Sequence, residues 1–340
     1  MRDLPENYKN SIAVAKMYYY QGLTTEQIAE ELQISRPTIS RLLSFAREKG
    51  LVEITIHDPD EYLNPLEQEI KERFGLPHVH IVPVPEVNGE QVWLQRVAYF
   101  AAQYLNSLFE DNQILGLAWG TTLSTISRYL IPKALQGSDI VQLNGSGNTT
   151  TSNNTYASEI MMRFADNYSA RAHLFPVPTF FDYEETKKAM WKERSIQRIL
   201  KMQQRADILL YSLGAVDSGM PSHVYSDGYL EERDFTNLKK RNVVADLATV
   251  FFSEDGSYKG IPLNARSSGP DLVLYRKVPH AICVVSGRPK VPALHCALAG
   301  RYMNDLIVDE PTARLLLKRE REKSLSQVTR TRGSGRRKDS

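Results

Sequence analysis

The sequence predicts an α/β protein in two parts: an N-terminal winged helix-turn-helix domain, then a mainly parallel α/β domain. Three observations predict it. Residues 23–50, LTTEQIAEELQISRPTISRLLSFAREKG, read as two amphipathic helices joined by a tight turn. From residue 78 onward, short continuous apolar runs alternate with longer helical segments, the pattern of a parallel sheet covered on both faces. The length of 340 residues fits about two domains rather than one small module.

Composition narrows the function classes. Apolar residues at 42% and charged residues at 24% are those of a soluble globular chain with a sizeable core. A net charge of +2 selects no partner, so local charge has to carry that argument. The two cysteines, Cys283 and Cys296, sit in apolar runs with no C-x-x-C spacing, so we expect buried thiols, not a disulfide or zinc ribbon. No signal peptide and no apolar run of membrane-spanning length are found, which together with the scarce cysteines predicts a cytoplasmic location. The seven histidines show no zinc-ligand spacing, so no metal site is expected.

In the head, Thr24 and Gln27 form a capping box opening the helix that starts at Thr25. Gln33 and Ile34 make the turn, Ser35 caps the next helix, and Pro37 falls where its missing N–H costs nothing. Ile39, Leu42, Leu43 and Ala46 form an apolar stripe, and Gly50 closes the helix in a left-handed cap. The opposite side is basic and hydroxylic. Arg36, Pro37, Thr38, Ser40, Arg41 and Ser44, with Thr25 on the preceding helix, are therefore the expected contacts to double-stranded DNA, the alternatives being a solvated face of a plain three-helix unit or a surface for protein association. Arginine reads guanine by two hydrogen bonds, and hydroxyls meet phosphates or bases. The alternating LVEITIH that follows supplies the wing strand, closing a head at residues 1–57.

A helical segment at 58–77 links head and body or packs on its own domain. The body, 78–320, carries candidate chemistry at three strand ends, where ligands bind in parallel sheets. In GLAWGTT, Gly120 turns the chain and Thr121 and Thr122 start a helix, so free amides and hydroxyls form an anion site or a plain structural cap. In QLNGSGN, the residues Asn144, Gly145, Ser146 and Gly147 suit a polyhydroxylated ligand or a solvated loop. In VSGRPKVPALHC, Lys290 stands at a helix start, disfavoured there by the dipole, and serves an anion or is a surface lysine. The basic, Gly/Ser-rich tail at 321–340 is expected to be disordered, attracting phosphates nonspecifically or solubilising the chain.

SRPTISRLLSFAREKGLVEITI, GLAWGTT, VVADLATVFFSEDG and SGRPKVPALHCALAGRYMNDLIVDEPTARLLL together resemble the SorC family of sugar-responsive bacterial transcription regulators, over about residues 10–320. The resemblance implies a body similar to sugar-phosphate isomerases and deaminases. It implies a homo-oligomer, dimer or tetramer, that acts as a repressor in carbohydrate or nucleoside metabolism and is controlled by a phosphorylated sugar, with no other cofactor. Phosphate would lie on Gly120, Thr121 and Thr122, sugar hydroxyls on Asn144, Gly145, Ser146 and Gly147, and Asp246 and Lys290 would close the site. DLATV stands where the family has a D-I-x-G pattern, so effector identity does not carry over. The alternative is a sugar-phosphate isomerase or deaminase with a DNA-binding appendage, with Asp246 as its general base and Glu159 or Asp217 less well placed.

Overall fold

The computed structural model describes residues 6–52, 64–87, 89–147, 154–215, 223–226 and 228–334. The chain forms two compact units, Met1–Tyr62 and Leu63–Ser340.

The head has helices Glu6–Tyr19, Thr25–Leu32 and Arg36–Glu48. The capping box forms as read: the Thr24 hydroxyl accepts from the Gln27 amide, and the Gln27 side chain accepts from the Thr24 amide. Gln33 ends that helix with φ +52°, and Gly50 follows the third at φ +65°. Ser35 departs from expectation, since its hydroxyl pairs with Thr38 Oγ1 at 2.8 Å rather than capping an amide. Val14, Ala15, Ile28, Ile39, Leu43 and Ala46 make the whole buried core of this unit among the described residues. So small a core has little reserve. Ile28→Ala, at a site with no exposed surface, should cost about 2–5 kcal/mol. Calorimetry should then show the head unfolding at lower temperature with the body's transition unmoved. Residues 53–57 of the expected wing lie outside the described residues.

The helix Pro65–Phe74 belongs to the body. Its Ile70 is buried with Leu76 and Val79, and Glu67 Oε1 accepts from the Ile81 amide at 2.8 Å. The part of this segment within the described residues therefore packs on the body.

Among the described residues the body holds ten strands: β1 His78–Val82, β2 Ile114–Leu117, β3 Asp139–Gln142, β4 Arg171–His173, β5 Ile208–Tyr211, β6 Leu213–Ala215, β7 Val243–Leu247, β8 Val250–Ser253, β9 His280–Val285 and β10 Asp305–Asp309. Seven form a wholly parallel sheet in the order β1-β10-β9-β5-β2-β3-β4. Successive residues face opposite sides. On β9, Ile282 and Val284 pack under the helix Glu90–Leu108, while Cys283 and Val285 pack under Val291–Ala299 and the final helix. Both cysteines are free and buried.

Two expectations are corrected. VVADLATVFF is not one strand of the large sheet; it is the antiparallel hairpin β7–β8 of a three-stranded sheet with β6. Ala248 and Thr249 both take positive φ, +44° and +69°, so the chain reverses there. The mirror-image turn geometry matches the twist of the strands it joins. The tail from 321 is not irregular throughout, because the last helix runs Glu310–Ser334. Its stretch 315–323, LLLKREREK, consists wholly of good helix formers. No helix among the described residues is long and apolar enough to cross a membrane.

Candidate functional site

In the head, the helix Arg36–Glu48 buries Ile39, Leu43 and Ala46. This turns Arg36, Pro37, Ser40 and Arg41 to solvent, with Thr38 and Ser44 partly covered. The expected face is therefore one surface. Arg36 carries an ion pair to Glu26 of the preceding helix at 2.8 Å, and Thr25 Oγ1 donates to the same carboxylate at 3.1 Å. Arg41 has no ion-pair partner among the described residues.

In the body, β2 and β5 are neighbours, but the chain leaves β2 toward β3 on one side and β5 leads to β9 on the other. This reversal is the switch point at which parallel sheets bind ligands. A cavity of ≈260 Å³ opens there, lined by Gly120, Thr121, Thr122, Asn144, Asp246 and Lys290, six of the nine predicted effector residues. Gly120 has φ +145°, a region that favours glycine, and it turns β2 into the short helix Thr121–Ile126. Lys290 Nζ and Thr122 Oγ1 each donate to Ser212 Oγ at 3.2 Å. Burial pushes the Lys290 amine below the ordinary lysine range, against the pull of nearby Cys283, Asp246, Asp309 and Glu90. Burial pushes the Asp246 carboxyl upward, opposed by the Tyr225 hydroxyl, the Thr249 amide and Lys290. Tyr225 donates to Oδ1 at 2.8 Å, and the Thr249 amide to Oδ2 at 3.0 Å. A Cβ on Gly214 would strike Asp246 Oδ1, so glycine is required under that carboxylate.

Asn144 Oδ1 and Ser286 Oγ are buried and have no hydrogen-bond partner among the described residues, and both residues line this cavity. Buried polar atoms are nearly always paired, so such a pair of exceptions at a cavity wall marks where a polar ligand fits.

Gly145, Ser146 and Gly147 are not in this cavity. The Gly145 carbonyl accepts from Trp119 Nε1 at 3.1 Å and Thr179 Oγ1 at 3.0 Å, and its amide donates to Ser268 Oγ at 2.9 Å. A Cβ there would strike the Val177 and Pro178 carbonyls, so this glycine serves close packing. Ser146 and Gly147 line a separate cleft of ≈640 Å³ beside Phe175, Phe180 and Tyr183. Residues 148–153 of that loop lie outside the described residues. Sequence reasoning missed Ser212, Ser286, His223 and Thr249, all at the cavity wall. Ser212 and Ser286 were findable, since each directly follows an apolar strand. Glu159 pairs with Arg163 away from the cavity, and Asp217 lies outside the described residues. Among the described residues no cluster of His, Cys, Asp or Glu is placed to hold a metal.

A helix-turn-helix head and a small-molecule cavity at the switch point of a parallel sheet define a ligand-binding DNA regulator. Residues 59–318 match the family described as "Putative sugar-binding domain", and residues 4–49 match region 4 of sigma-70. The chain is 37% identical over 315 residues to the deoxyribonucleoside regulator of Bacillus subtilis, spanning 92% of this chain and 98% of that one. It is 28% identical over 312 residues to the sorbitol operon regulator of Klebsiella pneumoniae, spanning 90% and 97%. The crystal structure of the full-length Klebsiella sorbitol operon regulator superposes with a TM-score of 0.72 at 26% identity, covering 92% of this chain and 100% of that one. A domain of a "possible sugar-binding transcriptional regulator" from Arthrobacter aurescens TC1 is 48% identical, with a TM-score of 0.70, covering 77% and 99%. The chain belongs to the SorC family of sugar-binding transcriptional regulators, and it is a regulator rather than an enzyme.

Proposed function

We propose that this chain is a cytoplasmic repressor that leaves its operator when a phosphorylated monosaccharide occupies the body's cavity. The observation that carries the reading is the polar arrangement around that cavity. The Lys290 amine, the Ser212 hydroxyl that accepts from Lys290 and Thr122, and the first amides after Gly120 offer donors to a phosphate, while Asn144 Oδ1 and Ser286 Oγ await partners such as sugar hydroxyls. A cavity of ≈260 Å³ suits one monosaccharide phosphate, not a disaccharide. The names of the two relatives, a deoxyribonucleoside and a sorbitol operon regulator, agree with a small sugar-derived effector in carbohydrate or nucleoside metabolism. Control works by linkage: effector and operator each favour one arrangement of a homo-oligomer, dimer or tetramer, and so oppose each other.

The test is thermal unfolding against a panel of sugars and their phosphate esters. A ligand at 100 times its Kd should add about 2.7 kcal/mol. One phosphosugar should raise the midpoint while its parent sugar does not; equal shifts from both would refute a phosphate site.

The same complex has a predictable pH profile. A phosphate dianion needs Lys290 charged, and burial lowers that amine's pKa from the ordinary 10.5. Affinity should therefore fall with rising pH before 10.5 is reached. Without ligand the sign reverses. The unfolded chain then holds this proton more tightly, so stability rises with pH between the lowered value and 10.5. Titration calorimetry across alkaline pH, with Lys290→Met as control, checks the window.

A further inference from the structure

The geometry points to a second contact surface for DNA phosphates, on the body, along the exposed face of the helix Arg194–Gln204. It lies apart from both the head and the effector cavity in sequence, and nothing in the SorC-type reading assigns it a role.

Between residues 192 and 205 the chain places five cations and one carboxylate, Glu193. The whole chain is nearly balanced, with 42 basic and 40 acidic residues, so this is a local concentration. Arg194, Arg198, Lys201 and Arg205 follow at intervals of four, three and four, which is one helix face. Ile196, Ile199 and Gln203 are buried on the other face, so the register is settled by packing. Lys192, Arg194, Arg198, Lys201 and Arg205 are all exposed, and a shallow groove of ≈610 Å³ runs between them.

The arrangement is internally uncompensated. Like charges at these spacings repel, and Arg194 sits in the first turn, where the dipole disfavours a cation. Other helices answer such charges: Lys188 pairs with Glu184 at 2.6 Å, and Arg314 with Glu310. None of the five has an ion pair among the described residues. Arg198 reaches the Nδ1 of His173 at 3.4 Å, and the carboxylate on the other side of that imidazole, Asp139, is already held by Arg171 at 2.9 Å and His173 at 2.7 Å. A stripe of about 16 Å with arginines about one helical turn apart suits the regular phosphates of a duplex, which arginine grips bidentately. The chain belongs to a family of DNA-binding regulators, so duplex DNA is an anionic polymer this protein meets.

The test uses the full chain and a duplex of random sequence about 30 bp long, with binding followed by fluorescence anisotropy from about 50 to about 200 mM salt. The variant K192Q/R194Q/R198Q/K201Q/R205Q changes only exposed side chains, and its thermal midpoint should match the parent. Its slope of log K against log salt should fall by about 2–4, with affinity at the lowest salt reduced about 10- to 100-fold. A head variant, R36A/R41A, should keep the part of the slope that the quintuple variant loses. An unchanged slope in the quintuple variant, or none left in the head variant, makes the stripe a solvated face and overturns the proposal. Poly-glutamate competing better than DNA at equal charge also overturns it, in favour of an acidic protein partner.

Discussion

Lys290→Met should weaken phosphosugar binding by about 2–5 kcal/mol, roughly 30-fold to several thousand-fold. Among the described residues the amine is the only lysine or arginine cation lining the cavity, and it already donates to Ser212, so a phosphate placed at Gly120–Thr122 would lie within its field. Removing it leaves a desolvated phosphate charge answered by amides and hydroxyls alone, and the loss comes mainly from that uncompensated charge. The substitution keeps length and apolar bulk, so the fold should hold. Without ligand it should unfold at the same temperature or slightly higher, because a cation forced below its ordinary pKa has gone. Calorimetry with the sugar phosphate, beside operator binding without it, separates the two functions. Equal phosphosugar affinity in parent and variant would remove Lys290 from the site. Weaker operator binding in the absence of sugar would mean that the residue shapes the regulator's assembly instead.

Arg41→Ala should reduce affinity for an operator selected from a random library by about 1–3 kcal/mol and relax the preference at one base position. It is the stronger test of the two arginines. Arg36 is held by Glu26 in the free protein, so DNA must first displace a carboxylate, and its net contribution is smaller. Arg41 is exposed and has no such competitor among the described residues. The head's melting should be unchanged, since the buried side of that helix is Ile39, Leu43 and Ala46. A variant that binds all sequences more weakly but with unaltered preference would make Arg41 a phosphate contact. A variant indistinguishable from the parent would move base reading elsewhere on the helix.

The head was legible almost residue by residue. Its capping box, turn and closing glycine each involve atoms within a few positions of one another, so sequence spacing specifies them. What could not be read there was pairing across helices. Ser35 was free to choose Thr38 Oγ1 over an amide, and Glu26 to take Arg36, because side-chain partners depend on how two helices meet. The parallel sheet was legible for a similar local reason: strands buried on both faces must be continuously apolar. VVADLATVFF misled for that reason too. A hairpin buried on both sides carries the same apolar run, and its reversal at Ala248–Thr249 uses residues with no turn signature.

The amino-acid order by itself determined the head's helices and turn, the continuously apolar strands of the parallel sheet, and that a Gly-Thr-Thr turn and a helix-start lysine end two of those strands. Tertiary structure alone decided which strand ends converge. Ser212 meets Thr122 across 90 residues and Lys290 across 78. It also turned Gly145 inward to pack on Val177 and Pro178, and it left Asn144 Oδ1 and Ser286 Oγ unpaired at one wall. The physical reason is range. Backbone caps and hydrophobic periodicity act over one or two turns of chain, whereas a cavity exists only once the order of strands in the sheet has brought distant side chains within hydrogen-bonding distance.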